Sequence, residues 1–405
     1  MKRQRLLKRI LSFILLSIFL ITPILPTIKV LADPKDSPET KQAQVEITST
    51  AAVLIEGSTG TIIYDKNKDE KLKPASITKI MTLLLIFEAL ESGKIALTDE
   101  VSVSEHAASM GGSQVYLEPY ETQTVDTMIK CISISSANDA SVAMAEYIAG
   151  SEEEFVARMN SRAKELGMNN TNFVNACGLD EDNHYSSAYD IALMSRELIT
   201  KHREITKYST VWMDNIIHTT KKGQSEFGLS NTNKLIKTYT GITGLKTGST
   251  GLAKYCLSAT AHRNGMDLIA VILAAPDTKT RFREASRLLD YGYANTSIYR
   301  DANEDMGATP LPVAKGKTDA VNYKAKEEFS YLCLKDVNPA DITKEITLVD
   351  KVTAPIQAND KIGEVTYLLK GKNIGTVDIV AADTVDKATF KDYFGKIIKD
   401  FFLGL

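Results

Sequence analysis

Residues 73–90 read KPASITKIMTLLLIFEAL, an apolar helical segment whose first turn carries a serine and a lysine three residues apart. Because residues three apart lie on the same face of a helix, Ser76 and Lys79 point the same way at the start of a buried helix. Two interpretations follow. Either Ser76 caps the helix and Lys79 is solvated, or the two are a nucleophile and its base.

The S-x-x-K spacing alone does not distinguish these interpretations, since it occurs again at Ser161 and Lys164. That copy lies in EEEFVARMNSRAKELG, a charged helix whose polar face is expected in solvent. Ser76 instead precedes a nearly uninterrupted apolar run, where a hydroxyl and an amine can meet away from water. The surroundings therefore favour Ser76 as the chemically active serine.

Two further motifs follow in chain order on other predicted elements. SISSANDASVAM places an S-x-N motif at the junction of two helical segments, and TGLKTGST places a K-T-G motif on a strand. Each motif is moderately specific, but the ordered set S-x-x-K, S-x-N, K-T-G is a strong signal. The residues concerned are Ser136, Asn138, Lys246, Thr247, Gly248 and the following Ser249.

The order of predicted elements indicates an α+β domain. Residues 51–67 have the pattern of a β-hairpin, a largely helical stretch follows the first motif, and strand patterns return from Ile242 with an Asn264-Gly265 turn. Strands, then helices, then strands are typical of one sheet covered by helices.

The ordered motifs resemble those of D-alanyl-D-alanine carboxypeptidases, the low-molecular-mass penicillin-binding proteins. The segments ASITKIMT, SSANDASVAMAE, GLKTGST and RFREASRLLDYGY also resemble family segments in family order, and the resemblance extends over residues 45–295. It implies a β-lactamase/transpeptidase-like domain at 45–298, an antiparallel sheet covered by helices. Ser249 is a departure, because the family often has histidine after K-T-G.

The resemblance implies acyl transfer through serine, without a cofactor, on peptidoglycan stem peptides that end in D-Ala-D-Ala. Ser76 would attack the carbonyl of the penultimate D-alanine, the terminal D-alanine would leave, and water would hydrolyse the acyl-enzyme. β-Lactams would acylate the same serine. A neutral hydroxyl needs a base, and Lys79 can serve if burial and a second cation, Lys246, keep it uncharged.

The other motif residues would complete the site. Ser136 would relay a proton between the two lysines and the leaving amine, and Asn138 would orient the substrate amide, with helix capping as the alternative for both. The backbone N–H groups of Ser76 and Ser249 would form an oxyanion hole. The peptide and its terminal carboxylate would be held by Lys246, Thr247, Gly248 and, by its match to a family segment, Arg281. The alternative for Arg281 is a surface charge.

Two other functions compete with this interpretation. A class A β-lactamase needs a further carboxylate to activate the deacylating water, usually in an E-x-x-L-N stretch, which residues 169–183, NNTNFVNACGLDEDN, lack. A non-catalytic cell-wall or β-lactam sensor could keep the pocket without turnover. Intact motifs argue against the sensor, and release of D-alanine from a peptide distinguishes it from the enzyme.

Residues 1–32 have the features of a signal peptide: a basic start, an apolar core and a small-residue site before Asp33. Pro23 and Pro26 interrupt the apolar run and disfavour an uncleaved membrane helix. The segment carries six basic residues and no acid, so its removal takes the formal net charge from −3 to −9. That charge disfavours nucleic-acid binding. We expect an exported protein with a polar tether at 33–44.

The chain beyond residue 302 predicts two further parts. A linker-like stretch at 302–312 precedes short strand patterns, which predict a small all-β domain at 305–388, a spacer or docking module. Residues 389–405 form an amphipathic helix with an aromatic-rich apolar stripe, which is typical of a helix lying in a membrane interface. The alternative is a helix packed on its own domain. The expected location is the outer face of the cytoplasmic membrane.

The cysteines and histidines give no sign of disulfides or metals. Four cysteines are scattered singly, and buried free thiols are the expected state in a chain of 405 residues. Five histidines lack any ligand spacing, so no metal site is predicted.

Overall fold

The structure, a computed structural model, describes residues 45–303 and 309–403. The predicted signal peptide at 1–32 and tether at 33–44 lie outside the described residues. The strands of the first domain are β1 (Ala51–Glu56), β2 (Ile62–Lys66), β3 (Glu100–Ser102), β4 (Thr122–Thr124), β5 (Met213–Thr220), β6 (Gly223–Ser230), β7 (Ile242–Thr250), β8 (Lys254–Arg263) and β9 (Met266–Ala275).

An antiparallel sheet in the order β2-β1-β9-β8-β7 forms the centre of this domain. The hairpin predicted at 51–67 is β1–β2. The predicted Asn264-Gly265 turn joins β8 to β9, and both turn residues have positive φ, 51° and 72°, as a two-residue hairpin turn requires. β7, which carries the K-T-G motif, lies at one edge of the sheet.

Helices surround this sheet, in agreement with the predicted α+β class. They are α1 (Lys79–Glu91), α2 (Glu105–Ala108), α3 (Val125–Ile134), α4 (Asn138–Ala149), α5 (Glu152–Glu165), α6 (Ala188–Lys201), α7 (Thr206–Ser209), α8 (Leu235–Thr238) and α9 (Thr278–Asn295). Capping side chains define several helix starts; at the start of α6, for example, Ser187 accepts a hydrogen bond from the Asp190 N–H.

Both faces of the sheet are covered, which explains why its central strands are apolar throughout. In β1, Ala51, Val53 and Ile55 belong to one buried core, and Ala52 and Leu54 belong to another. Alternate residues of a strand face opposite sides of a sheet. The first core includes α1, α3, α4 and α6, and the second includes α9. The helices and strands that carry the three motifs are thus packed against these cores.

The second domain is built from strands. They are β10 (Thr296–Asp301), β11 (Leu311–Ala314), β12 (Ala320–Val321), β13 (Tyr323–Ala325), β14 (Phe329–Leu334), β15 (Ile342–Leu348), β16 (Val352–Thr353), β17 (Lys361–Leu369) and β18 (Lys372–Ala381). β10 pairs with β14. It follows α9 without a loop, since the backbone of Thr296, the residue after the helix, already has an extended conformation. The domain's first strand therefore precedes the linker predicted at 302–312.

A final helix, α10 (Phe390–Leu403), leaves several of its apolar side chains largely in solvent. Phe390, Phe394, Ile397 and Phe401 are 86%, 56%, 64% and 81% exposed. Within the described residues, no helix has the length and hydropathy needed to cross a membrane. All four cysteines are buried free thiols, as expected from their spacing.

Candidate active site

The first motif lies on a 3₁₀ turn, Ala75–Thr78, that leads directly into α1. No side chain caps this turn or α1. Ser76 Oγ instead accepts a hydrogen bond of 3.1 Å from Lys79 Nζ, and Lys79 is fully buried. The structure therefore excludes a capping serine beside a solvated lysine.

Lys79 has two further partners, both carbonyl oxygens. Its Nζ donates to Asn138 Oδ1 and to the Cys177 carbonyl, each at 2.6 Å. Burial lowers the pKa of Lys79 to about 8. A neutral amine has two N–H groups for these oxygens, and its lone pair then faces Ser76 Oγ. The arrangement suits an amine that takes a proton from the serine.

A tight loop, Asn175–Leu179, positions the Cys177 carbonyl. Asn175 Oδ1 accepts hydrogen bonds of 2.7–3.3 Å from three backbone N–H groups of this loop. Gly178 has a φ of +88°, and a Cβ there would overlap the Ala75 carbonyl, so the loop packs directly against the serine turn. Sequence reasoning missed this partner of Lys79, because a backbone carbonyl has no residue-type signal.

The S-x-N motif lies between α3 and α4. Ser136 adopts a left-handed backbone with a φ of 62°, and its buried Oγ has no hydrogen-bond partner among the described residues. Asn138 does not cap α4. Its Oδ1 accepts from Lys79 Nζ, and its Nδ2 donates to the Gly111 carbonyl at 2.7 Å. The capping alternative therefore fails for Asn138, whose direct partner is Lys79.

The K-T-G motif lies on β7 and is almost entirely buried. Lys246 is 1% exposed, and burial, with the charges of Lys79 and Arg281, lowers the pKa of Lys246 well below its usual value. Thr247 Oγ1 lies 2.5 Å from Thr232 Oγ1. The positive charge of Lys79 thus disfavours protonation of Lys246, whereas burial is what lowers the pKa of Lys79.

Gly248 lets β7 approach the serine turn closely. A Cβ at this position would lie 2.9 Å from the Pro74 carbonyl oxygen and 3.0 Å from both the Ser76 and Ile77 nitrogens. Those distances are shorter than ordinary van der Waals contacts, so glycine is required for this packing. Ser249, the next residue, is exposed.

Arg281 lies against the backbone of β7 and β8 rather than on the surface. It is 7% exposed, and its Nη1 donates to the carbonyls of Gly248 at 3.0 Å and Cys256 at 3.2 Å. Its Nε is buried without a partner in the described part of the chain. The surface-charge alternative is therefore wrong, and the guanidinium contacts the strand that carries the K-T-G motif.

The second S-x-x-K pair does not form a comparable site. Ser161 and Lys164 are both exposed on α5. Across residues 45–303 and 309–403, no cluster of histidine, cysteine and acidic side chains could hold a metal ion.

His184 and Asp139 support the site but were not identified from the sequence. His184 Nδ1 accepts from the Val174 N–H at 3.1 Å, so the neutral ring donates from Nε2 to Thr78 Oγ1 at 2.8 Å. Burial lowers the pKa of His184 to about 4. The Asp139 carboxylate, which is fully buried, accepts from the backbone of the loop after Gly111.

Comparison with known proteins gives the same assignment for both domains. Residues 38–277 match the D-alanyl-D-alanine carboxypeptidase family model, and residues 296–387 match that of the penicillin-binding protein 5 C-terminal domain. The D-alanyl-D-alanine carboxypeptidase DacF of Bacillus subtilis is 43% identical over 97% of this chain and 99% of its own length. DacC of Escherichia coli is 32% identical over 87% of each chain.

Solved structures agree with the sequence comparison. Penicillin binding protein 5 from Haemophilus influenzae is 30% identical, has a TM-score of 0.70, and covers 84% of this chain and 98% of its own. The predicted fold, with its small β domain after the first domain, is thereby confirmed. The chain belongs to the D-alanyl-D-alanine carboxypeptidase family, serine hydrolases that process cell-wall peptidoglycan, as the ordered motifs predict.

Proposed function

We propose that Ser76 is the nucleophile with which this carboxypeptidase removes the terminal D-alanine from peptidoglycan stem peptides, and that penicillins acylate the same residue. The observation that carries this assignment is the buried Lys79 amine, which lies 3.1 Å from Ser76 Oγ and is oriented by two carbonyl oxygens at 2.6 Å. Together with the lowered pKa of Lys79, these contacts support a serine and its base.

In the acylation step, Lys79 accepts the Ser76 proton while Oγ attacks the carbonyl carbon of the penultimate D-alanine. Backbone N–H groups of Ser76 and Ser249 stabilise the oxyanion. The peptide C–N bond then breaks, and the amine of the terminal D-alanine takes a proton and leaves. The Ser136 hydroxyl, which has no partner among the described residues, is suited to carry that proton from Lys79.

On the substrate side, Lys246 and the Thr247 hydroxyl hold the terminal carboxylate, whose charge compensates a buried cation. Arg281, whose guanidinium donates a hydrogen bond to the Gly248 carbonyl, adds positive charge next to this strand. The Asn138 carboxamide, which would orient the substrate amide, already accepts a hydrogen bond from Lys79 and donates one to the Gly111 carbonyl. We therefore propose that the main role of Asn138 is to orient Lys79. Water then hydrolyses the acyl-enzyme.

The test is release of D-alanine from a peptide ending in D-Ala-D-Ala, run beside labelling with a fluorescent penicillin. Wild-type protein should do both, and Ser76→Ala should do neither. Ser161→Ala is the matched control, since it removes the serine of the exposed S-x-x-K pair, and it should behave as wild type. Labelling that survives in Ser76→Ala would assign the nucleophile to another residue.

The same experiment separates the two competing functions. A sensor would be labelled by penicillin but would release no D-alanine. A β-lactamase would turn penicillin over rapidly, and it needs a carboxylate beside the acyl group. Among the described residues, the hydrogen-bond partners of Lys79 are a hydroxyl, a carboxamide and a backbone carbonyl, which favours the carboxypeptidase.

We further propose that the protein is exported and lies at the outer face of the cytoplasmic membrane, held by α10. The exposed apolar side chains of this helix, among them Phe394 and Ile397, support this assignment because a membrane interface would remove them from water. Lys396, on the other face, contacts Asp319 and the Gly316 carbonyl, so that face is directed at the protein.

Membrane attachment is tested by fractionation of cells that express variants of the full chain. Deletion of residues 389–405, or the pair Phe394→Asp and Ile397→Asp, should release the protein from membranes while D-alanine release persists. Lys391→Gln, an exposed polar position of the same helix, is the control and should stay bound. Unchanged fractionation of the aspartate pair would favour a helix packed on its own domain.

A further inference from the structure

A carboxylate outside the proposed active site contacts the loop that positions Lys79. Glu152 is the first residue of α5, and its side chain is only 13% exposed. Its Oε1 accepts a hydrogen bond of 2.9 Å from the Ala176 N–H, and its Oε2 lies 3.0 Å from His106 Nε2. Glu152 thus joins α2 and α5 to the Asn175–Leu179 loop.

The backbone of Ala176 is held on both sides. Its N–H donates to Glu152, and its carbonyl accepts a hydrogen bond of 2.6 Å from Thr82 Oγ1. Thr82 is fully buried on α1, three residues after Lys79 and therefore on the same face of the helix. The next carbonyl along the loop is that of Cys177, which accepts from Lys79 Nζ at 2.6 Å. The Glu152 carboxylate is therefore one residue of backbone away from a direct partner of Lys79.

The other hydrogen bonds of this loop do not duplicate the Glu152 contact. Asn175 Oδ1 accepts from backbone N–H groups of the loop itself, so it shapes the turn without fixing it to a helix. Within the described part of the chain, the side chains outside the loop that hydrogen-bond to its backbone are those of Lys79, Thr82 and Glu152. Because Lys79 and Thr82 both lie on α1, Glu152 supplies the hold from a second helix.

The Glu152 carboxylate is itself held in place by His106. The hydrogen bond between them raises the pKa of His106 and outweighs the opposing effect of burial, and the charges of Glu146 and Glu153 act in the same direction. A protonated imidazole donates a charge-assisted hydrogen bond, which is stronger than one between neutral groups. Glu152 therefore has a fixed partner on each oxygen, His106 on α2 and the Ala176 N–H in the loop.

We infer that Glu152 is a positioning residue for the base of the reaction, Lys79. Its carboxylate fixes Ala176 and, through it, the Cys177 carbonyl that Lys79 contacts, and His106 holds the carboxylate in place. Without this acceptor the Cys177 carbonyl shifts, and the lone pair of Lys79 faces the nucleophile less often. Glu152 acts through Lys79 rather than on the substrate. The inference rests on the proposed function, since it takes Lys79 as the base.

The test measures acylation of the full chain by a fluorescent penicillin as a function of penicillin concentration. Glu152→Ala should lower the maximal acylation rate on the order of tenfold and leave the half-saturating concentration unchanged, because the groups that bind the ligand stay in place. Glu152→Gln should stay close to the wild-type rate, since its amide oxygen can still accept from Ala176. Glu154→Ala, which removes an exposed acid of the same helix turn, is the matched control and should acylate as wild type does.

His106→Ala gives a second, independent test. The His106 side chain is 55% exposed, so its removal should not prevent folding even if Glu152→Ala does. It should slow acylation less than Glu152→Ala does, because Glu152 keeps one of its two partners. The double variant should be no slower than Glu152→Ala alone, since His106 acts only through Glu152.

Four results would overturn the inference. They are wild-type acylation in Glu152→Ala and His106→Ala, equal losses in Glu152→Ala and Glu152→Gln, a further loss in the double variant, and a loss that appears in the half-saturating concentration and in urea unfolding rather than in the maximal rate. Failure of the proposed function is a separate result: labelling persists in Ser76→Ala, or Lys79→Ala acylates normally, whatever the Glu152 variants do.

Discussion

Replacing Gly248 by alanine should misplace the serine turn relative to β7. The added Cβ would meet the Pro74 oxygen at 2.9 Å and the Ser76 and Ile77 nitrogens at 3.0 Å, against 3.4 Å for an ordinary contact. All three are backbone atoms, so the strand and the turn must separate by 0.4–0.5 Å. Overpacking of this kind costs about 1–3 kcal/mol. A shift of this size at the reacting centre should slow acylation on the order of tenfold.

The assay is stopped-flow acylation by a fluorescent penicillin, combined with urea unfolding of each variant. Gly251→Ala is the matched control, because a Cβ there meets nothing within 4 Å and the residue lies just beyond the same strand. It should acylate and unfold as wild type does. If Gly248→Ala acylates at the wild-type rate, the close approach of β7 to Ser76 does not matter for the reaction, and the reasoning is refuted.

Two further predictions concern pH and stability. Burial alone would raise the pKa of Glu284, but the hydrogen bonds that its carboxylate accepts from Thr48 and Ser49 outweigh burial and lower the pKa below its usual value. The free energy of unfolding of Glu284→Gln should therefore be about 2 kcal/mol lower than that of wild type near neutral pH. In urea unfolding this difference should disappear as pH falls below about 4.5, where the carboxylate becomes protonated; a difference that does not change with pH would contradict this. His184 has a pKa of about 4 in the folded protein, below the value of about 6.5 in the unfolded chain. As pH falls, the unfolded chain therefore binds a proton before the folded protein does, and the free energy of unfolding of wild type should fall by about 3 kcal/mol between pH 6.5 and 4. His184→Gln should lose that part of the slope, and an unchanged slope would show that His184 does not cause it.

The sequence predicted those parts of the site that depend on side chains at short spacing. Ser76 and Lys79 share a helix face, and their 3.1 Å contact follows from a separation of three residues. The hairpins at 51–67 and at Asn264-Gly265 follow from turn chemistry and apolar alternation in the same way.

What the sequence could not predict depends on backbone groups and long-range packing. The Cys177 carbonyl is distant in sequence from Lys79, and any residue type could supply it. The contacts of the Arg281 guanidinium with the carbonyls of Gly248 and Cys256 depend on how α9 packs on the sheet, and its role at the carboxylate stays a prediction. The β5–β6 hairpin was not predicted, because polar residues interrupt its apolar pattern.

The pH dependence of penicillin acylation tests the central claim most directly, that an uncharged Lys79 takes the proton of Ser76. Its pKa of about 8 predicts an acylation rate that falls steadily as pH drops from about 9 to 6, by roughly tenfold per unit well below the pKa. A rate that stays constant across this range would mean that the amine does not have to lose a proton before serine attacks.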